Sequence, residues 1–142
     1  MKEIVRQMIE IFHMDNIDWL GYELQDGDTF NFHHILDKNK GGREIIDNGA
    51  VLINNTSHQY LHVIEYKDFD MYLYLSNILL SINNQRTMPN KQQMLAIESL
   101  LQQFEREHCS DVNAKGKPLI RERYLKRVNV KWIITMIICN YI

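Results

Sequence analysis

The sequence predicts an α+β fold in which two short strands and one helix are embedded in a mostly helical domain. Two apolar runs rich in branched and aromatic residues, 29–36 and 49–53, flank a polar loop that contains Gly41 and Gly42. This arrangement is typical of two paired strands. The chain has 142 residues, of which 45% are hydrophobic, so we expect a single domain, 1–142, that can bury a substantial core.

The N-terminal segment, 1–14, is predicted to be a helix. Ile4, Met8 and Ile11 recur at helical spacing and form an apolar stripe. Residues 15–28 contain aromatic side chains among glycines and aspartates, a mixture that indicates an irregular arm leading into the first strand.

A third element of the core is a helix that follows the second strand. Asn55 and Thr56 are both suited to cap its first turn. His58 and His62 lie four residues apart, so they share one helical face, one turn apart. Two imidazoles in this arrangement can chelate one divalent cation.

A second pair of histidines, His33 and His34, stands on the first strand. Successive side chains leave a strand on opposite faces, so the two imidazoles should not both reach one ion. We therefore expect one of them to be a metal ligand and the other a base.

The C-terminal half, 68–142, is predicted to be largely helical. Residues 69–82 are apolar on most sides and predict a buried helix, and Asn90 is suited to cap the next one. Residues 132–142 are strongly apolar and fit a buried strand, a helix or a subunit interface, and these alternatives stay open. Neither apolar segment is long enough to span a membrane, so we expect no membrane partner.

Basic residues are concentrated near the C-terminus. Residues 115–131 contain seven basic residues against one acidic residue, although the whole chain has a net charge of -2. We assign phosphate contact, and hence nucleic-acid binding, to six of them: Lys115, Lys117, Arg121, Arg123, Lys126 and Arg127. The compatible alternative is a solvated amphipathic helix, because apolar residues repeat every four positions from Ile120.

The motifs FHHIL, GG, NGAVL and SHQYLH, in this order, resemble the core of the HNH endonucleases, the ββα-metal nucleases. The resemblance covers about 28–66. It implies a ββα-metal core and hydrolysis of DNA phosphodiester bonds. By the same resemblance His33, His58 and His62 bind the metal, His34 is the general base, and Asn48 holds the loop that carries the base.

The resemblance also implies the cofactor and the partner. We expect one divalent metal ion, and three imidazoles favour a transition metal by ligand softness, although Mg²⁺, Mn²⁺, Ni²⁺ and Zn²⁺ are all candidates. The expected partner is DNA, most simply double-stranded. One site cuts one strand at a time, so a double-strand break would need a homodimer or two encounters.

One feature of many HNH endonucleases is missing. Asn54 and Ser57 stand where a C-x-x-C pair would precede the helix histidine, and the chain has two cysteines in total, Cys109 and Cys139. We therefore expect packing, rather than a structural zinc, to hold the fold. The few cysteines and the lack of an N-terminal signal peptide predict a cytoplasmic protein.

Other interpretations fit the same residues less well. A zinc peptidase would need a glutamate where Gln59 stands. A catalytically silent nucleic-acid-binding or assembly protein could use the ββα-metal motif structurally, but would not need His34. A toxin-like nuclease would need an inhibiting partner, of which the sequence gives no sign. Asn48 could also be purely conformational, because Asn48-Gly49 is a strong tight-turn signal.

Overall fold

The computed structural model describes residues 1–128 and confirms the α+β fold. The described residues form four helices and a two-stranded antiparallel sheet: α1 (Glu3–Ile11), β1 (Phe30–His34), β2 (Gly49–Ile53), α2 (Ser57–Lys67), α3 (Phe69–Gln85) and α4 (Lys91–His108). Short 3₁₀ turns occur at Lys38–Lys40, Ile46–Asn48 and Glu122–Leu125. The alternatives for 132–142 lie outside the described residues.

The two strands pair from Phe30 with Ile53 to His34 with Gly49. Every residue of β2 is buried, because α1 and α3 both pack against it. Gly49 is required here by close approach, since a Cβ atom at this position would lie 2.3 Å from the ring of Phe32. The sheet therefore packs closely against α1 at the end that carries His33 and His34.

The helices follow the predicted pattern closely. α1 lies within the predicted segment 1–14, and the helix expected from 69 extends to Gln85. That helix is buried on one face only, because Phe69, Leu73, Tyr74 and Leu80 are exposed. Asn90 caps α4 through a capping box with Gln93. α2 packs on α3 and α3 packs on α4, with a common core of fully buried side chains: Leu61, Ile64, Leu75, Leu79, Leu101 and Phe104.

A buried aspartate fixes the start of α2. Asp18 lies in the N-terminal arm and accepts hydrogen bonds from the amides of Leu20 and Tyr22, and also from the amide of Ile53 at the end of β2. It also accepts a hydrogen bond from the hydroxyl of Ser57, the first residue of α2. At a position where a cysteine would serve a structural zinc, this chain therefore has a side-chain hydrogen bond that ties the arm, the strand and the helix together.

The predicted helical extension ends earlier than expected. Between residues 109 and 127 it contains one 3₁₀ turn and no α-helix, so the alternative of a solvated amphipathic helix from Ile120 is wrong for residues 120–127. Asn113 accepts hydrogen bonds from the amides of Lys115 and Lys117, and Gly116 has a φ of 77°. This local turn competes with helix formation.

No helix within residues 1–128 combines the length and the apolar character needed to cross a bilayer. The apolar stretch 69–82 instead forms most of α3, whose inward face packs against α2 and α4.

Candidate metal centre

Three histidines from β1 and α2 converge on one point. One potential ligand atom from each of His33, His58 and His62 lies within 4.8 Å of the other two. The ring centroid of His33 is 5.3 Å from that of His58 and 5.7 Å from that of His62. The four-residue spacing on α2 thus places both helix imidazoles opposite the strand imidazole, as the sequence predicts. We conclude that the structure contains a candidate metal-ligand group.

The environment of His33 fits a metal ligand. His33 is 1% exposed, and its Nε2 atom is buried with no hydrogen-bond partner among the described residues. A buried polar atom without a partner is destabilising, so a ligand for this nitrogen would remove a real penalty. Three imidazoles also form a donor set suited to divalent transition metals. The residues present therefore fit a bound cation.

Burial keeps two of these imidazoles neutral. Burial, and to a smaller extent the neighbouring His58 and His62, lower the pKa of His33 to about 3. Burial likewise lowers the pKa of His58 to about 4, with a smaller contribution from His62. Because only the neutral imidazole can donate its lone pair to a metal, both rings are in the binding form at neutral pH.

The three histidines line a cavity of about 290 Å³, and two carboxylates also border it. Glu65 accepts a hydrogen bond from Nδ1 of His62 when that nitrogen carries the proton, at 3.1 Å, which leaves Nε2 of His62 free for a ligand. Asp37 lines the cavity with Glu65. Burial, together with Asp37, raises the pKa of Glu65. The distance of 3.1 Å fits a role for Glu65 in orienting the ring of His62.

His34 lies on the other face of β1. Its ring contacts Phe32 edge-on, with centroids 4.9 Å apart. It is half-buried, unlike His33, and borders the cavity that also contains the three candidate ligands. The strand alternation therefore separates the two adjacent histidines as predicted, and His34 is outside the ligand group.

Asn48 braces the loop between the strands. Its side-chain oxygen accepts a hydrogen bond from the amide of Leu36 at 2.8 Å, and its side-chain nitrogen donates to the carbonyls of Leu36 and Arg43 at 3.1 and 3.0 Å. Gly49 is extended, with a φ of -111°, so Asn48-Gly49 is not a two-residue hairpin turn. Asn48 is thus a positioning residue that holds the segment following His34.

The support for this loop includes residues that the sequence did not single out. Asn83 of α3 donates to the carbonyl of Ile46 at 2.6 Å and to that of Gly49 at 2.7 Å. Arg86, at the end of α3, pairs with Asp47. Asn83 is one of several polar residues on α3, and no local pattern marks it as the partner of a segment 34 residues away.

One of the six proposed phosphate contacts is corrected by the structure. Arg127 is 2% exposed, and its guanidinium pairs with Glu98 and with Glu105, the latter at 2.9 and 3.0 Å. The two carboxylates lie on the inward face of α4 and need a buried cation. Arg127 fulfils that need and is not available to DNA in this structure.

The other five basic residues, Lys115, Lys117, Arg121, Arg123 and Lys126, are exposed. Of these five, Arg123 contacts α2, because its guanidinium donates a hydrogen bond to the side chain of Gln59, next to His58, at 3.2 Å. Gln59 is thereby held by a partner outside the ligand group.

A second group of potential ligands occurs where α3 begins and α4 ends: Asp68, Glu107 and His108. Here Asp68 accepts the capping hydrogen bond from the amide of Met71, and Nδ1 of His108 is 2.8 Å from Asp111. These polar atoms already have protein partners, in contrast to Nε2 of His33. We therefore assign the candidate metal centre to the three-histidine group.

Comparisons of the chain with family models, with curated proteins and with solved structures give no match. The resemblance to the HNH endonucleases therefore rests on the residues of the 28–66 core themselves, and it remains a prediction.

Proposed function

We propose that this chain is a metal-dependent endonuclease of the HNH type that hydrolyses DNA phosphodiester bonds. The observation that carries the proposal is Nε2 of His33, which is buried opposite His58 and His62 and has no hydrogen-bond partner within residues 1–128, with His34 on the other face of the same strand. A metal site with a purely structural role would not require His34, which borders the same cavity.

In this proposal His33, His58 and His62 hold one divalent cation, and Glu65 orients the ring of His62. The cation would act as a Lewis acid that stabilises negative charge on the phosphate and on the departing oxygen. We leave its identity open among Mg²⁺, Mn²⁺, Ni²⁺ and Zn²⁺, because the ion that three imidazoles bind most tightly need not be the one that supports turnover.

His34 acts as the general base. It borders the cavity without belonging to the ligand group, so its ring is free to accept a proton from the attacking water, and histidine is the usual base near neutral pH. Asn48 fixes the backbone immediately after His34 and so limits the positions that the base can take.

The proposal is tested by nicking of supercoiled plasmid with metal-stripped protein, to which Mg²⁺, Mn²⁺, Ni²⁺ or Zn²⁺ is returned separately. We expect nicking only with an ion present, and we expect His58→Ala to lose metal binding and nicking together. His13→Asn is the matched control, because His13 is exposed and asparagine tolerates its φ of 54°. That variant should retain both properties.

The alternative to the enzyme is a catalytically silent module that uses the same metal centre to bind nucleic acid or to assemble. Metal binding and DNA retention without cutting under any of the four ions would favour this alternative and contradict the nuclease.

A further inference from the structure

A second cleft is lined by His34 but by none of the three ligand histidines. It measures about 580 Å³, and it is lined by His34 together with Lys2, Lys38, Arg43 and Glu44. His34 and Lys38 also line the metal cavity. The two cavities therefore share a wall, and a chain of phosphates entering one would pass His34 to reach the other.

The loop that carries the basic residues is firmly built. A Cβ atom on Gly42 would fall 1.7 Å from the carbonyl oxygen of Leu36, so the loop closes on itself without room for a side chain there. The carbonyl of the next residue, Arg43, is held by the side chain of Asn48 at 3.0 Å. The backbone that presents Arg43 to the cleft is thus fixed by two independent contacts.

The cleft carries an excess of positive charge, and its one carboxylate is already paired. Lys2 Nζ lies 2.7 Å from Oε1 of Glu44. The hydrogen bond from Lys2 lowers the pKa of Glu44, and the nearby His34 and Lys38 lower it as well. Because these groups all act on the same carboxylate, Glu44 occupies a position where the surrounding charges favour an anion.

Outside the loop that lines the cleft, residues 15–70 are mainly acidic. Residues 15–70 contain eleven acidic residues and four basic ones, and three of the four, Lys38, Lys40 and Arg43, lie within one six-residue loop. Lys40 turns away to the ring of Phe69, with Nζ 4.7 Å from the ring centroid, whereas Lys38 and Arg43 line the cleft. Positive charge is therefore placed locally, beside His34.

We propose that this cleft binds a backbone phosphate of the nucleic acid, adjacent to the phosphate that is cleaved, and that Glu44 pairs with Lys2 until that phosphate replaces it. The inference rests on the proposed nuclease function and extends it to a named subsite. It differs from the interpretation of the sequence, which assigned phosphate contact to residues near the C-terminus.

The test is binding of a fluorescein-labelled 20-base-pair duplex to the metal-free full-length chain, followed by anisotropy at several NaCl concentrations. Lys2→Gln and Arg43→Gln should each weaken binding and should each reduce the slope of log affinity against log salt by about 0.9, the value of one lost phosphate contact. Arg106→Gln, at an exposed position on α4 outside the cleft and outside the basic C-terminal segment, is the comparison variant and should change both quantities less.

Glu44→Gln should have the opposite effect on the affinity for duplex. Removing the competing carboxylate should tighten binding about two- to fivefold, the range of one exposed ion pair, and a misfolded variant could not mimic a gain. Unchanged affinity in Glu44→Gln, together with parental salt slopes in Lys2→Gln and Arg43→Gln, would overturn the inference, as would a parent chain that does not bind duplex at low salt.

The assay keeps this inference separate from the nuclease proposal, because it uses neither metal nor cleavage. A chain that binds through the cleft but never nicks plasmid would contradict the nuclease alone. Plasmid nicking with an unchanged KM in the two cleft variants would contradict the cleft alone.

Discussion

His33 and His34 are consecutive residues of β1, yet their rings lie in different environments. His33 is 1% exposed and faces His58 and His62, whereas His34 is half-buried and contacts Phe32 at the mouth of the cavity. The pleat of the strand alone produces this separation. A one-residue shift in register would exchange the two positions, and the tight contact of Phe32 with Gly49 opposes such a shift.

The metal content of the purified chain tests the ligand group. We expect one divalent ion per chain after loading and dialysis, measured by elemental analysis, and we expect His33→Ala to lose it because a single imidazole of the triad is replaced by a methyl group. His108→Ala should retain the ion, since its Nδ1 is already engaged by Asp111. Two ions per chain, or a loss of metal in His108→Ala, would contradict the assignment.

Glu65 should tune the site without being essential to it. Glu65→Ala removes the acceptor at 3.1 Å from Nδ1 of His62, so the ring is no longer fixed in one orientation. Loss of such an orienting partner typically weakens metal affinity roughly 10- to 100-fold. Calorimetric titration with Zn²⁺ would measure the change. An affinity equal to that of the parent would show that the pairing of Glu65 with His62 has no part in metal binding.

Asn48→Ala should separate loop positioning from metal binding. The change removes three hydrogen bonds to the backbone of Leu36 and Arg43, and each net hydrogen bond is worth about 1 kcal/mol. We expect reduced thermal stability and slower nicking with an unchanged metal affinity, because none of the three ligands lies in this loop. If the variant lost metal instead, Asn48 would have a different role.

The buried ion group around Arg127 should be a determinant of stability. Arg127→Met would leave Glu98, which is fully buried, and Glu105 without their cation, and removing one member of a buried pair costs about 3–5 kcal/mol. Lys126→Met, at an exposed position next to it, should change stability by less than about 0.5 kcal/mol. Denaturant unfolding compares the two. Parental stability in Arg127→Met would contradict its structural role.

The metal-free chain should lose stability as the pH falls from 7 to 5. Folding lowers the pKa of His33 to about 3 and that of His58 to about 4, so below pH 6.5 only the unfolded chain takes up these protons. Each group contributes at most about 1.4 kcal/mol per pH unit, and less for the partly solvated His58. The free energy of unfolding in urea, measured at several pH values, would reveal the loss.

Asp18 should change the pH dependence of the free energy of unfolding in the opposite direction. Burial raises its pKa to about 6, so its contribution is greatest below pH 3.8 and disappears as the pH rises through about 6. Asp18→Asn should therefore steepen the loss between pH 6 and 5. Stability that stays constant or rises from pH 7 to 5 in the parent would contradict the histidine shifts.

The sequence was sufficient for the features that depend on short-range periodicity. Residue spacing identified α2 with its two histidines, the alternation of β1 separated His33 from His34, and Asn90 was correctly predicted as a cap. These features need few residues and follow directly from helix and strand geometry. They account for the three-histidine candidate metal centre almost entirely.

Features built from residues far apart in the chain could not be predicted in this way. Arg127 carries the same charge as its exposed neighbours, and its burial depends on Glu98, 29 residues away. Asp18 bonds to Ser57 across 39 residues. The cleft beside His34 likewise joins Lys2 to Glu44. A count of charges along the sequence carries no information about these long-range pairings. Such a count therefore favoured the C-terminal segment.

A paired measurement on His34→Ala tests most directly whether one histidine of β1 binds the metal and the next removes the proton. The rate of plasmid nicking is measured with the ion that best supports the parent, and the affinity for that ion is measured on the same sample. We expect a rate lower by roughly 10²- to 10⁴-fold with an unchanged metal affinity. Nicking as fast as that of the parent, or loss of the metal together with the activity, would contradict it.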